Sequence, residues 1–406
     1  MANRSDSSDA VFEALLGDIH RMQPSELPKL LRSHRSELGV ENVFLYLADV
    51  QQEQLAMMPD GSASSQAALP IDSTVAGWVY RTLVERVTTR ESRGLTLWLP
   101  LVDGIERLGV LCVEADALDE ETLRRCRTLS TVVTLVLYAK GVISDLYARS
   151  QRTQQMKISA EMLRAFLPPR SIGTRLTTSS AILEPAYNLG GDAFDHTVID
   201  HTLHTAIVDG MGHDLIAGLS SSVALAACRN TRRSDPSAGL EPLVRSVDQA
   251  LSDAFDDRHV TAVFAHLHLD TGSLEWINAG HPPPLLMRGT SLVPEALEGE
   301  PEPPLGLPAG MADSKRTVHE AHLQPGDRVL LYTDGVIDAK DASGQRFGLT
   351  RFTDFLMRAM AADEPPPEAL RRLVKTLLEY QHAGLTDDAT VMMFQWHPAG
   401  SPDYFA

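Results

Sequence analysis

The sequence predicts a mixed chain, α/β by class and α+β in arrangement, folded as two domains joined by a helix. Three observations predict it. At 406 residues the chain is longer than one ordinary core serves. Strand-like apolar runs alternate with segments of helical period in both halves. Between the halves, residues 140 to 168 carry apolar or small residues at helical spacing and no strand signal. Hydrophobic residues make up 43% and charged residues 22%, which is globular composition, so most of the chain can bury a core.

In chain order, residues 1 to 10 read as a solvated, disordered tail. From Val11 to about Leu38 the spacing of Phe12, Leu15, Leu16 and Ile19 predicts a helix. VFLYLADV, Val43 to Val50, reads as a strand and PDGSASSQAALP as a loop. A helix is expected from near Ser73, then two strands, LTLWLPLV and RLGVLCVEA, split by a turn at Asp103-Gly104. A helix beginning near Asp119 closes the block, with acids in its first turn as the helix dipole favours. Residues 11 to 140 therefore form a small domain of helix, sheet and helix.

The linker, residues 141 to 170, places Val142, Leu146, Met156, Ala160, Leu163 and Leu167 on a heptad-like seam interrupted by Arg149 and Thr153. Two readings stand: a helix packed on its own domain, or a coiled coil through which the linker and N-terminal domain form a homodimer. Pro168-Pro169 ends the run.

Residues 171 to 397 turn β-rich. Strands are expected at 203 to 209, 260 to 270, 273 to 280, 328 to 334 and 389 to 396, the second and third joined by a hairpin at Asp270-Thr271-Gly272. Helices are expected at 214 to 228, 240 to 255, 349 to 361 and 367 to 382, and a proline-rich loop at 298 to 310. Two antiparallel sheets flanked by helices accommodate this order.

Bulk properties narrow the function. A formal charge of -18 would repel a phosphate backbone, which argues against nucleic acid as a partner. Cys112, Cys126 and Cys228 form no CxxC pair and read as buried thiols in a reducing compartment. The polar start MANRSDSSDA lacks the apolar stretch of a signal peptide. The most apolar stretch, Leu129 to Tyr138, is too short to span a bilayer. A cytoplasmic protein with no membrane partner is expected.

Four aspartates each sit beside a strand. Asp192 lies in NLGGDAFD, where Gly190 and Gly191 permit a sharp turn or close backbone approach. Asp209 ends HTAIV, Asp334 ends VLLYT ahead of Gly335, and Asp387 precedes TVMMFQW. Strand ends project side chains from rigid supports into a common crevice. Carboxylates converging there repel one another unless cations neutralise them, and hard divalent ions such as Mg²⁺ or Mn²⁺ suit that oxygen set. Two ions roughly 3.5–4 Å apart can share a water, lower its pKa and direct the resulting hydroxide in line at phosphorus. No Ser-His-Asp or reactive-Cys constellation competes with this reading.

The series NLGGDAFD, VDGMGHD, NAGHPPPLL, LLYTDGVIDA and TDDATVMM resembles, in motif order, the bacterial PPM-type serine/threonine phosphatases of the SpoIIE/RsbU class. The resemblance spans about residues 160 to 397, including AEMLRAFLPP. It implies an αββα sandwich with two Mn²⁺ or Mg²⁺ ions. By motif, Asp209 would bridge both ions and the Gly210 carbonyl would help hold one. Asp192 would serve one ion, and Asp334 and Asp387 the other, with Asp388 the lesser member of the last pair. The substrate implied is a phosphorylated regulatory protein, an anti-anti-sigma factor of the STAS fold.

The chain departs from the pattern in two places. The usual Gly-His-Gly reads Gly212-His213-Asp214, so Asp214 either caps the following helix or adds charge near the metals. The usual aromatic after Gly-Gly-Asp is Ala193, followed by Phe194. His213 and His281 invite a general-acid role, but a histidine after a loop glycine more often braces the backbone. NAGHPPPLL reads as a structural loop lining the substrate groove.

Residues 11 to 140 resemble a GAF domain in the order VFLYLADV, the helix around AGWVY, and LPLVDGIERLGVLCVEA. That implies a module that binds a small-molecule or protein signal, or only dimerises; no Cys-His pair for haem or a bilin is in place. Two other functions compete with this reading. DGMGHD and PLGLPAG resemble glycine-rich ATP-lid boxes, but a sensor-kinase-like ATPase would leave Asp334 and Asp387 unexplained. A catalytically inactive binding module would keep the fold without turnover.

Overall fold

The computed structural model describes residues 5–59, 67–90, 93–188, 190–212, 214–307, 315–381, 385 and 387–398, with the backbone alone for 5–10. The chain divides into two compact units, 1–154 and 155–406.

The first unit opens with α1 (Ser5–Arg21), a short 3₁₀ turn at Pro24–Glu26, α2 (Leu27–Ser33) and α3 (Arg35–Leu38). The single helix expected over 11–38 is thus three, because Pro24 and Pro28 each restart the backbone at a first-turn position. The helical backbone also begins at Ser5, inside the expected tail. There follow β1 (Asn42–Ala48), β2 (Gln54–Met57), β3 (Leu69–Pro70), α4 (Val75–Thr82), β4 (Arg86–Thr89), β5 (Leu95–Asp103), β6 (Glu106–Ala115), α5 (Glu120–Gly141) and α6 (Leu146–Ser150). The strands make one antiparallel sheet in the order β3-β2-β1-β6-β5-β4. Gly104, at φ 58°, makes the β5–β6 turn. Thr74 and Asp119 cap α4 and α5 by accepting from Gly77 N and Thr122 N. α1, α2 and α5 bury Leu15, Leu27, Leu31, Leu129 and Val133 against one face of the sheet, and α4 covers the other with Val79 and Tyr80.

The continuous helix expected over 141–170 does not form. α5 stops at Gly141, α6 spans five residues, and the polar run 151–157 precedes the next helix, α7 (Ile158–Phe166). The residues of the supposed seam go separate ways. Val142 is 87% exposed, Leu146 packs on the first unit's core, and Ala160 and Leu163 are buried in the second unit's core. No single apolar stripe is left to pair as a coiled coil.

The second unit continues with β7 (Ser171–Gly173), β8 (Thr177–Glu184), β9 (Asp192–Ile199), β10 (Thr202–Gly210), α8 (Leu215–Ser234), α9 (Leu240–Ala254), β11 (Val260–His268), β12 (Ser273–Ala279), β13 (Leu285–Arg288), β14 (Ser291–Val293), β15 (His319–His322), β16 (Arg328–Tyr332), α10 (Asp334–Asp338), α11 (Gly348–Ala361), α12 (Pro366–Gln381) and β17 (Ala389–Trp396). Two antiparallel sheets result, β15-β12-β11-β10-β9 and β14-β13-β16-β17-β8-β7. α8 and α9 cover the first and α11 and α12 the second, an αββα sandwich. Strand alternation builds it: on β16, Val329 and Leu331 enter the core shared with the first sheet, while Leu330 and Tyr332 meet Phe352 and Leu356 of α11. Cys112, Cys126 and Cys228 are free, buried thiols. No described helix is long and apolar enough to cross a membrane.

Candidate active site

Asp192, Asp209, Asp334, Asp387 and Asp388 gather where the two sheets end. Asp192, the first residue of β9, stands directly across from Asp209 near the end of β10, and Asp209 faces Thr261 on β11. Cross-strand partners share a face, so both carboxylates point the same way. Gly191 is required there: a Cβ would lie 2.2 Å from the Gly210 carbonyl oxygen. This close approach lets Gly210 N donate to Gly191 O at 3.1 Å, and Ser221 Oγ of α8 donates to the same carbonyl.

The second sheet supplies the other half. Asp334 is not the last residue of a strand; β16 ends at Tyr332, and Asp334 opens α10. Gly335 follows because a Cβ there would sit 1.9 Å from the Asp388 carbonyl oxygen. Asp388, 5% exposed, turns inward and its Oδ2 accepts from the backbone N–H groups of Gly190 (2.7 Å), Gly191 (2.7 Å) and Asp192 (3.2 Å). Asp387 points outward and is exposed. Of this pair, Asp388 thus pins the Gly-Gly loop while Asp387 faces the crevice mouth.

Asp192 is 2% exposed, and its Oδ2 accepts from the hydroxyls of Thr333 and Thr390, each at 2.7 Å. Those hydroxyls favour the carboxylate, but burial and the nearby Asp209 and Asp388 charges outweigh them and raise its pKa well above the usual range. Burial, then Asp334, Asp387 and Asp388, push Asp209 up to about 7. Burial and Asp387 also raise Asp334. The causes of these shifts include no neighbouring cation.

This donor set fits divalent cations: it is all oxygen, negative, rigidly mounted and electrostatically uncompensated. Among the described residues, no three His, Cys, Asp or Glu side chains are already closed around one ion-sized point, so a bound ion would draw the carboxylates inward.

Asp214 caps α8, its Oδ1 accepting from Ala217 N at 2.8 Å, and its Oδ2 lies 3.5 Å from Arg258. His213 lies outside the described residues. His281 braces its loop: its N–H donates to Asn278 Oδ1, its carbonyl accepts from Asn278 Nδ2, and Nδ1 lies 2.9 Å from Thr261 Oγ1. Burial lowers its pKa to about 3. Sequence reasoning missed Thr333, Thr390 and Ser221. Their only signal was two threonines beside aspartates, in YTDG and DDAT, where they pass for ordinary β-branched strand residues.

Residues 199–397 match the family model described as Stage II sporulation protein E (SpoIIE). The C-terminal unit belongs to the SpoIIE family of PP2C-type phosphatases. The SpoIIE-type domain places the chain among the protein-serine/threonine phosphatases. Its matched span begins after Asp192, within β9. The chain is 22% identical to the phosphoserine phosphatase RsbU of Bacillus subtilis over 247 residues, 59% of this chain and 70% of that protein. It is 26% identical to the phosphoserine phosphatase RsbP of the same organism over 200 residues, 46% of this chain and 47% of RsbP. The SiaA-PP2C domain of Pseudomonas aeruginosa superposes with a TM-score of 0.50 at 24% identity, covering 59% of this chain and 94% of that domain, which supports the sandwich fold.

Proposed function

We propose that the SpoIIE-type domain removes phosphate from phosphoserine or phosphothreonine on a cytoplasmic regulatory protein, a STAS-type anti-anti-sigma factor, under control of a GAF-like N-terminal unit. The observation that carries this reading is the group of carboxylates at the sheet ends, which raise one another's pKa with no cation among the causes of those shifts in the described residues. The phosphoserine specificity named for RsbU and RsbP supports the substrate class.

Asp192, Asp209, the Gly210 carbonyl, Asp334 and Asp387 would hold two divalent ions, Mn²⁺ or Mg²⁺. Such ions, when bound, lower the pKa of a water and neutralise charge on the phosphoryl oxygens. The chain's own residues do the positioning. Thr333 and Thr390 fix the Asp192 carboxylate, and Asp388 holds the backbone from Gly190 to Asp192. Because Asp214 caps α8 and faces Arg258, the acid in place of the motif glycine has structural employment.

Signal input and homodimerisation are assigned to the N-terminal unit, whose sheet carries helices on both faces. The test is Mn²⁺-dependent phosphate release from a phosphoserine STAS protein by the full chain and by Asp209→Asn. Turnover that needs metal and disappears in the variant supports the reading. Metal-independent turnover in both would overturn the two-ion mechanism. No turnover in either, with metal binding confirmed, would favour a non-catalytic binding module.

A further inference from the structure

A cavity of about 320 Å³ opens beside the active site and has no part in the chemistry above. Its floor is aromatic: Trp276 of β12 stacks on His319 of β15, with ring centroids 5.3 Å apart and planes 23° from parallel. Its rim is acidic. Glu298, Glu300 and Glu302 line it at alternate positions of EGEPEPP, where the prolines favour an extended backbone and extension puts every second side chain on one side. Gly299 lets this segment lie against His319; a Cβ there would be 2.5 Å from the imidazole. No Lys or Arg is among its described lining residues.

One buried polar atom on the wall makes no hydrogen bond among the described residues. It is Oε2 of Glu302, whose nearest ionic neighbour is Arg316 at 3.7 Å. His281 is spent on the fold: its Nδ1 lies 2.9 Å from Thr261 Oγ1 and its ring hydrogen-bonds the Tyr332 backbone. Carboxylates beside aromatic rings are what an organic cation requires.

The cavity is also close to the reaction centre. Thr261, which touches His281 in its wall, is the cross-strand partner of Asp209. A side chain seated there belongs to a segment whose neighbouring residue can reach the carboxylate crevice.

We propose that this cavity binds a guanidinium or ammonium group, supplied by a basic side chain of the phosphoprotein next to its phosphorylated residue. The cation site stands on its own geometry; its source in the substrate rests on the phosphatase reading. The site would select among phosphoproteins by a positive charge at a fixed distance from the phosphate.

Two measurements on the full chain separate these levels. The first is calorimetric binding of acetyl-arginine-amide to wild type and to the double variant Glu298→Gln/Glu300→Gln. Both residues are exposed, so the variant should fold. The second compares kcat/KM for paired phosphoserine peptides, with arginine or glutamine near the phosphoserine, alongside p-nitrophenyl phosphate. Wild type should bind the amide and prefer the arginine peptide by about tenfold. The double variant should lose both, while p-nitrophenyl phosphate turnover stays unchanged. Binding without peptide preference would overturn the substrate source and leave a site for a free cation. Equal binding by wild type and variant, or none by wild type, would overturn the cation site. Absence of p-nitrophenyl phosphate turnover in wild type would count against the phosphatase reading, and the calorimetry would still judge the cavity.

Discussion

Two aspartates three residues apart on one strand are treated in opposite ways. Asp192 and Asp195 both belong to β9 and both are 2% exposed. Asp195 faces α8, where Arg229 and Arg232 reach its two oxygens at 2.6 and 2.7 Å. Asp192 faces the second sheet, where it receives two threonine hydroxyls and the repulsion of Asp209 and Asp388. A fold that neutralises one buried carboxylate with two arginines had the same means for the other. Leaving it uncompensated costs stability in the absence of a cation, which is the signature of a site built for one.

The largest effect should come from removing the uncompensated charge. Asp192→Asn and Asp209→Asn are each expected to lower phosphate release by at least about 10³-fold, because on the proposed two-ion reading each would remove a metal donor. Neither should melt earlier than wild type in metal-free buffer, since each removes repulsion. A variant that keeps its activity, or unfolds when metal-free wild type does not, would break the contrast with Asp195.

Next in size is the compensated partner. Asp195→Asn strands Arg232, a guanidinium only 7% exposed, and should cost about 3–5 kcal/mol in urea unfolding. Specific activity per folded molecule should persist. A loss under about 1 kcal/mol would mean that the arginines are hydrated well enough without the carboxylate.

A smaller, pH-dependent effect sharpens the comparison. With its pKa pushed up to about 7, Asp209 is harder to ionise in the folded, metal-free chain than in the unfolded one. Its penalty is absent when both states are protonated, below about pH 3, and complete above pH 7. In chelator, Asp209→Asn should therefore gain on wild type by about 3 kcal/mol between pH 5 and pH 8. The buried His196 and His204, each lowered to about 4 by burial, act oppositely and in both proteins. Their contribution is present above about pH 6.5 and lost as pH falls through about 4, so it cancels in the difference. A difference that does not change with pH would show that Asp209 ionises freely.

The same contrast explains what the sequence could show. β10, β11, β12, β16 and β17 are apolar enough to be read directly, and Asp209, Asp334 and Asp387 could be read from their strand-flanking positions. β8 and β9 were not foreseen as strands. Thr177, Thr178, Ser179 and Ser180 on β8, and Asp192, Asp195 and His196 on β9, are all buried, yet composition makes both segments look like loop. Their burial is supported by partners distant in the chain. His196 Nε2 donates to Pro169 O while Nδ1 accepts from Ser179, and Thr177 donates to the Gln395 carbonyl. The inward role of Asp388 was hidden for the same reason, since its three donors lie at 190 to 192. Short-range pattern registers apolar period; it does not register a polar group whose partner is on another strand. The linker failed differently, because spacing alone could not show that its apolar residues serve two separate cores.

The finest test bears on how Asp192 is held. Thr390→Val keeps the shape of a fully buried side chain and removes one of the two hydroxyls that donate to Oδ2. Thr333 still donates, and the Thr390 N–H still reaches Thr333 Oγ1, so the crossing of β16 and β17 should survive. The carboxylate loses part of what orients it and favours its charge, which are the two services a supporting hydrogen bond gives a metal ligand. The Mn²⁺ concentration for half-maximal activity should rise by about tenfold, while kcat at saturating Mn²⁺ stays within about threefold of wild type. If instead kcat drops and the Mn²⁺ requirement is unchanged, the hydroxyl acts in the chemical step, and the threonine pair is not merely the lighter counterpart of the two arginines on Asp195.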